Sequence, residues 1–248
     1  MRSSVIKKGT WLASFMLAVC LCAHAEVKLS AIFSDGMVMQ QQTKANLWGT
    51  ATPNKKITVT TGWNGKQYVA TADKNGAWKL SVSTPEAGGP YSITFNDGSK
   101  KTLNNILIGE LWLCSGQSNM EMPMKGFKNQ PVENANMDIL RSKNPNIRLF
   151  TVKRTSTFTP QTDVAGTWKE ATPANVRDFS ATAYYFGRLI NEILDVPVGL
   201  VVAAWGGSAC EAWMTADWLK AFPDAKIPQS EADIKSKNRT PTVLYNGM

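Results

Sequence analysis

Histidine is nearly absent: the 248 residues contain one, at position 24. Imidazole is the side chain whose ordinary pKa suits proton transfer near neutrality, so beyond residue 24 the chain carries no ready base of that kind. Charge is not concentrated either. The 27 Lys and Arg against 19 Asp and Glu give a net +8, but no basic stripe runs along the chain, and the electrostatic footprint of a nucleic-acid binder is missing. No apolar run reaches the roughly 20 residues that a membrane-spanning helix needs. Cysteine is scarce, with four residues at positions 20, 22, 114 and 210.

The N-terminus accounts for part of this inventory. Arg2, Lys7 and Lys8 precede an apolar run from Trp11 to Cys22, which closes on Ala23-His24-Ala25. A basic start, a short apolar run and a small-x-small ending read as a secretory signal peptide over 1–25, with export to the periplasm or the medium. A membrane anchor would need a longer run, and a lipoprotein acylated at Cys20 or Cys22 would need a small residue just before the cysteine. Removal after Ala25 takes away His24 and two cysteines and leaves 24 basic residues against 19 acidic ones, about +5. This mild excess favours solubility and tolerance of anionic sugars. An export compartment permits a disulfide between Cys114 and Cys210, but cysteines at strand ends are as often free thiols packed as small hydrophobes, and the free form is expected.

With 43% apolar and 19% charged residues, the chain has the material for one or two ordinary globular domains. From 26 to 105 short strands alternate with turns. The strands are expected at Ala45–Gly49, Lys56–Thr61, Lys66–Thr71, Ala77–Val82 and Tyr91–Phe95, and Gly62–Gly65, Asp73–Gly76, Gly88–Pro90 and Asn96–Gly98 separate them. Alternation of β-branched and polar residues at this spacing argues a small antiparallel β-sandwich. Trp48, Trp63, Trp78 and Tyr91 could form a sugar-stacking face, with Trp63 the one at a tip. Filling the core of a small sandwich is the simpler use for large aromatic residues.

From 106 to 248 longer apolar strands alternate with helices, as in a parallel sheet covered on both faces. Ile106–Cys114, Asn146–Val152 and Leu200–Trp205 are the expected strands, and 153–175 reads as loop. Phe186, Leu189, Ile190, Ile193 and Leu194 follow a helical period behind a Ser180 cap and form the expected buried face, with Tyr184 and Tyr185 as packing residues. Ser208 to Glu211 fits a capping box. Beyond Trp218 the chain is charged and proline-bearing through Arg239, which suggests an exposed connector.

The stretch Gly109-Glu110-Leu111-Trp112-Leu113-Cys114-Ser115-Gly116-Gln117-Ser118-Asn119-Met120 gathers the rest around it. A buried strand gives way to a Gly-containing turn and then to serine at the start of a helix, at the carboxyl edge of a sheet, where ligands bind in open α/β folds. The serine's N–H is then free to hold an oxyanion. By pattern alone such a serine is more often a cap or a phosphate-cradling residue. Continued through Glu121-Met122-Pro123, however, the stretch closely resembles the nucleophile block of the sialate O-acetylesterases, a branch of the SGNH hydrolases. The segments Ile32–Gln40, Gly88–Tyr91, Ala204–Met214 and Thr240–Met248 resemble the same family.

The resemblance implies an SGNH-hydrolase-like α/β domain over 106–248 behind the sandwich, and a serine esterase that removes O-acetyl groups from carbohydrates such as sialic acids. It makes Ser118 the nucleophile and Gly207 the backbone oxyanion donor, with Gly206 as the alternative. Gln117, Asn119 and Gly206 are the candidate substrate contacts, and no metal or organic cofactor is implied. The family's Asp-x-x-His pair and Gln-Gly-Glu block do not occur before Met248. A base and its Asp are therefore expected beyond residue 248, in a chain that stops within the hydrolase domain. The competing reading is a non-catalytic carbohydrate-binding or surface protein with a degenerate hydrolase half. Lys125, the lysine that follows Ser118 most closely, is read as a surface residue rather than a substitute base.

Overall fold

A computed structural model describes residues 26–248. The signal peptide read from residues 1–25 lies outside them. Eleven strands are present among the described residues: β1 (Lys28–Leu29), β2 (Val38–Gln40), β3 (Lys44–Thr50), β4 (Lys56–Thr61), β5 (Gln67–Thr71), β6 (Ala77–Ser83), β7 (Gly88–Asn96), β8 (Lys100–Gly116), β9 (Asn144–Thr151), β10 (Trp168–Ala171) and β11 (Val198–Ala204). The helices are α1 (Ser118–Glu121), α2 (Ala135–Leu140), α3 (Pro173–Val176), α4 (Ala181–Leu194) and α5 (Ala216–Leu219).

Two sheets form. The smaller has the order β1-β3-β6, and the larger runs β10-β9-β11-β8-β7-β4-β5 with β2 added to β8. In the first half the sheets face each other. Leu47, Trp78 and Val82 of the small sheet pack with Ile57, Val59, Ile93 and Phe95 of the large one, all buried in one core. The alternation in β4, where Ile57, Val59 and Thr61 are buried, is the period-2 signature that marks a half-buried strand. Trp78 fills this core. Trp63 instead packs on Tyr91 and donates its Nε1–H to the Ser83 carbonyl at 3.1 Å, so it is no free tip for a sugar.

The second half is an α/β sheet. β8, β11 and β9 run parallel, and β10 adds to β9 antiparallel. The sheet is therefore mixed, and β10 and all but the last residue of α3 fall in the segment 153–175 that reads as loop. The texture change at residue 106 falls inside β8, which runs unbroken from Lys100 to Gly116. Its first part pairs with β7, and its last part, Glu110 to Gly116, pairs with β11. Past Leu111 no other strand pairs with β8 among the described residues, and Trp112 and Leu113 are exposed.

Helix α4 begins at the Ser180 cap, whose side chain accepts the Ala183 N–H. The face it buries is not the one its apolar period marks. Ala181, Ala183, Tyr184 and Gly187 are buried, whereas Leu189, Ile193 and Leu194 are at least half exposed. The reason is close approach to β11: a Cβ on Gly187 would lie 2.5 Å from Leu200 Cδ1. The small residues let the helix seat on the sheet, and Phe186 meets Trp112 of β8 edge to face at 5.0 Å.

Arg148 ties the halves together. It is almost fully buried on β9, and its guanidinium donates to the carbonyls of Pro145 and Gly36 and to Asn105 Oδ1, with Glu170 at 3.4 Å. Gly36 belongs to the turn of the Ile32–Gln40 segment, and Asp35 in the same turn accepts the Asn104 N–H at 2.7 Å.

Candidate active site

Ser118 is the first residue of α1, two residues beyond the Gly116 end of β8, with Gln117 in the cap position. The helix is a single turn, so what it offers an anion is its free N–H groups rather than a macrodipole. The turn after it is docked to the start of α4. Met124 N–H bonds the Phe179 carbonyl, Ala181 N–H bonds the Met122 carbonyl, and the Thr182 hydroxyl donates to the Asn119 carbonyl.

The second loop arrives from β11. After Ala204 the chain turns through Trp205, whose N–H bonds the Gly116 carbonyl, into Gly206 and Gly207. Gly206 passes close over the nucleophile: a Cβ there would lie 3.7 Å from Ser118 Cα. Gly207 adopts φ +72°, a left-handed conformation that glycine takes without the penalty of a side chain.

The two loops meet at one atom. Gln117 Oε1 accepts the Ser118 hydroxyl at 3.1 Å and the Gly207 N–H at 3.2 Å. The hydroxyl and the N–H thus converge on a single acceptor at the carboxyl edge of the sheet. Gln117, Ser118, Gly206 and Gly207 are brought together, and Asn119 is exposed with its carbonyl bonded to the Thr182 hydroxyl.

Three further residues hold this arrangement, and two of them, Arg154 and Asn238, carry no signal in the sequence pattern. Glu121, one helical turn after Ser118, accepts the Gly206 N–H with one carboxylate oxygen and Arg154 with the other. Arg154 also lies over the Trp205 ring, 5.6 Å from its centroid, and reaches the Ala204 carbonyl. Asn238 donates to the Gly206 carbonyl at 3.0 Å. Glu121 could have been suspected from its i+3 spacing, which puts it on the same face as Ser118. Asn238 lies 32 residues from Gly206 in a stretch that reads as connector.

A groove at the ends of β9 and β11 is lined by Glu121, Lys125, Thr151, Lys153, Arg154 and Ala204 among others. Lys125 pairs with Asp178 at 2.6 Å, with both side chains about half exposed. The capping box expected at Ser208–Glu211 does not form. The one-turn 3-10 helix Cys210–Trp213 is capped at Ala209 without a side-chain bond, because Ser208 Oγ is taken by the Trp213 indole N–H at 2.9 Å. Cys114 is buried and Cys210 exposed, both as free thiols, and burial pushes the Cys114 thiol up. The segment Thr240–Met248 folds as turns, with Val243 and Leu244 buried against Ala212.

Among the described residues no three His, Cys, Asp or Glu side chains gather as a metal site requires, and no helix is long and apolar enough to cross a membrane.

Comparison with known proteins follows this geometry. Residues 108–240 match the family described as carbohydrate esterase, sialic acid-specific acetylesterase. Sialate O-acetylesterases of Pongo abelii and Homo sapiens are each 27% identical over 242 residues, covering 89% of this chain and 45% of theirs. A crystal structure of a carbohydrate acetylesterase from Xanthomonas citri superposes with a TM-score of 0.78 at 33% identity, over 90% of this chain and 47% of that one. The chain thus spans about half the length of the relatives it matches.

Proposed function

Because the chain belongs to the sialic acid-specific acetylesterase family of carbohydrate esterases, we propose that it carries the nucleophile half of an esterase that removes acetyl groups from O-acetylated sugars, sialic acids among them. The observation that carries this reading is the convergence of the Ser118 hydroxyl and the Gly207 N–H on Gln117 Oε1. A hydroxyl beside a backbone donor is what acyl transfer to serine needs, because the attacked carbonyl oxygen must gain negative charge near an N–H as the Oγ–C bond forms.

In this proposal Ser118 Oγ attacks the acetyl carbon and its proton passes to a base. The oxyanion takes over the Gly207 N–H, with the Ser118 N–H as second donor, and the Gln117 carboxamide gives way. The sugar oxygen leaves with the proton returned by the base. Water then attacks the acetyl-serine, and acetate is released. The base, with the Asp that orients it, comes from outside residues 26–248, which contain no histidine. Without it a serine hydrolase loses about 10⁴- to 10⁶-fold in turnover. The export signal read over 1–25 adds a periplasmic or extracellular setting to the proposal.

The absence of histidine from residues 26–248 is also what favours the second reading, a carbohydrate-binding protein without catalysis. Acetate release from O-acetylated sialic acid or p-nitrophenyl acetate by the purified full-length protein, against its Ser118→Ala variant, separates the two. Loss of release in the variant is the expected result. A protein that binds the sugar and releases no acetate would establish the second reading.

A further inference from the structure

The peptide unit between Gly206 and Gly207 carries the N–H assigned above to the oxyanion. A trans peptide is planar, so its N–H points opposite to its C=O, and whatever fixes the carbonyl also aims the N–H. Asn238 Nδ2 donates to that carbonyl at 3.0 Å. Asn238 is itself anchored. Its Oδ1 accepts the Ser236 hydroxyl at 3.1 Å, and its backbone carbonyl accepts the Ala209 N–H at 3.1 Å, just past the glycine turn.

Apart from the 3.2 Å bond from its N–H to Gln117 Oε1, which the oxyanion must displace, little else restrains this peptide. A Cβ on Gly207 would find only Asn238 Nδ2 nearby, at 3.7 Å, and two glycines in succession permit rotation of the unit between them. Rotation by half a turn would present a carbonyl oxygen to the developing oxyanion and replace attraction with repulsion. Glu121 holds the N–H of Gly206, which belongs to the preceding peptide, and once Gln117 Oε1 yields the Gly207 N–H to the oxyanion, Asn238 is the side chain left holding this unit.

We infer that Asn238 is a positioning residue: it locks the Gly206–Gly207 peptide in the orientation that presents the Gly207 N–H to the oxyanion. The inference rests on the esterase reading of Ser118 and Gly207. It is tested in the full-length protein with Asn238→Leu, which keeps the volume and removes the donor, and with Asn238→Asp, which keeps the shape and opposes the carbonyl with an acceptor. Loss of an oxyanion donor costs about 10²- to 10³-fold in kcat, so a mis-aimed one is expected to cost roughly 10- to 100-fold in both variants. KM should stay within about threefold, and the Gly207 amide resonance should move in a ¹H–¹⁵N spectrum. A purely structural role would lower the melting temperature without this kcat-specific loss.

Asn238→Leu with kcat within about twofold of the parent, or an unmoved Gly207 resonance, would overturn the inference. Ser118→Ala serves as the control. If it retains acetate release the esterase reading fails, and the Gly207 resonance still decides whether Asn238 holds the peptide.

Discussion

The Ser118 hydroxyl donates to the side-chain oxygen of its own neighbour, Gln117, at 3.1 Å, and the same oxygen holds the Gly207 N–H. A neutral carboxamide there can yield to an oxyanion. A carboxylate could not, because two negative charges at such separation repel by about 4 kcal/mol even at an effective dielectric near 20, less where water screens them. Gln117→Glu is therefore expected to lower kcat for acetyl-ester hydrolysis by about 10²-fold at neutral pH in steady-state assays. Unchanged turnover would remove Gly207 from the oxyanion site.

Gly207 offers a cleaner test of backbone geometry than most glycines. A methyl group added there meets nothing closer than 3.7 Å, so crowding is not the issue, but φ +72° is costly for alanine. The left-handed conformation costs an L-residue about 1–2 kcal/mol. Gly207→Ala should lower the melting temperature by a few degrees and reduce kcat by about 10-fold or more as the N–H moves off the oxyanion. Parent-like values of both in calorimetry and kinetics would show that the loop does not need this conformation.

Arg148 predicts a stability effect far from Ser118. Replacing it with leucine leaves the Gly36 and Pro145 carbonyls and Asn105 Oδ1 without their buried donor, while Glu170, about half exposed, returns to water. Stranded buried acceptors cost about 1–3 kcal/mol each at most, and relaxation recovers part of it. A loss of roughly 2–4 kcal/mol in urea unfolding is expected for Arg148→Leu. A loss under about 1 kcal/mol would mean that the Gly36 turn does not depend on this side chain.

The Tyr185 hydroxyl donates to Asp138 at 2.7 Å, and Arg188 reaches the other carboxylate oxygen at 2.9 Å. These bonds hold the Asp138 carboxyl below its ordinary range, while burial and the bond to Asp138 push the Tyr185 phenol up to about 12. The signs follow directly. Asp138 stabilises the fold above its ordinary pKa, and that contribution is lost as pH falls through its depressed value, below about 4. Tyr185 contributes fully below about pH 10, and its contribution is lost as pH rises toward 12. Tyr185→Phe should flatten stability at both ends of a pH–melting profile. A profile parallel to the parent's would sink this account.

Some of this was legible in the sequence and some was not. The strands of the first half follow from alternation, since period 2 with one buried face leaves little freedom, and β4 lies where it reads. Ser118 and Gly207 reach the same edge because parallel strands deliver their carboxyl ends together. The buried face of α4 was misleading, because seating on β11 is governed by the small residues at 183 and 187, whereas the large apolar ones mark the strongest period. β10 is four residues long, too short for any period to register. Arg154 and Asn238 owe their roles to contacts 32 to 50 residues away in sequence, and polar side chains in such contacts leave no local pattern.

The unbroken course of β8 has a mechanical consequence. Its 17 residues, on the order of 55 Å of extended chain, enter through the sandwich and end one residue short of Gln117. With no linker to act as a hinge, the sandwich serves as an anchor block for the nucleophile. Fraying that begins at β7 is expected to reach Ser118 through this one strand, and the two halves are expected to melt in a single transition in calorimetry.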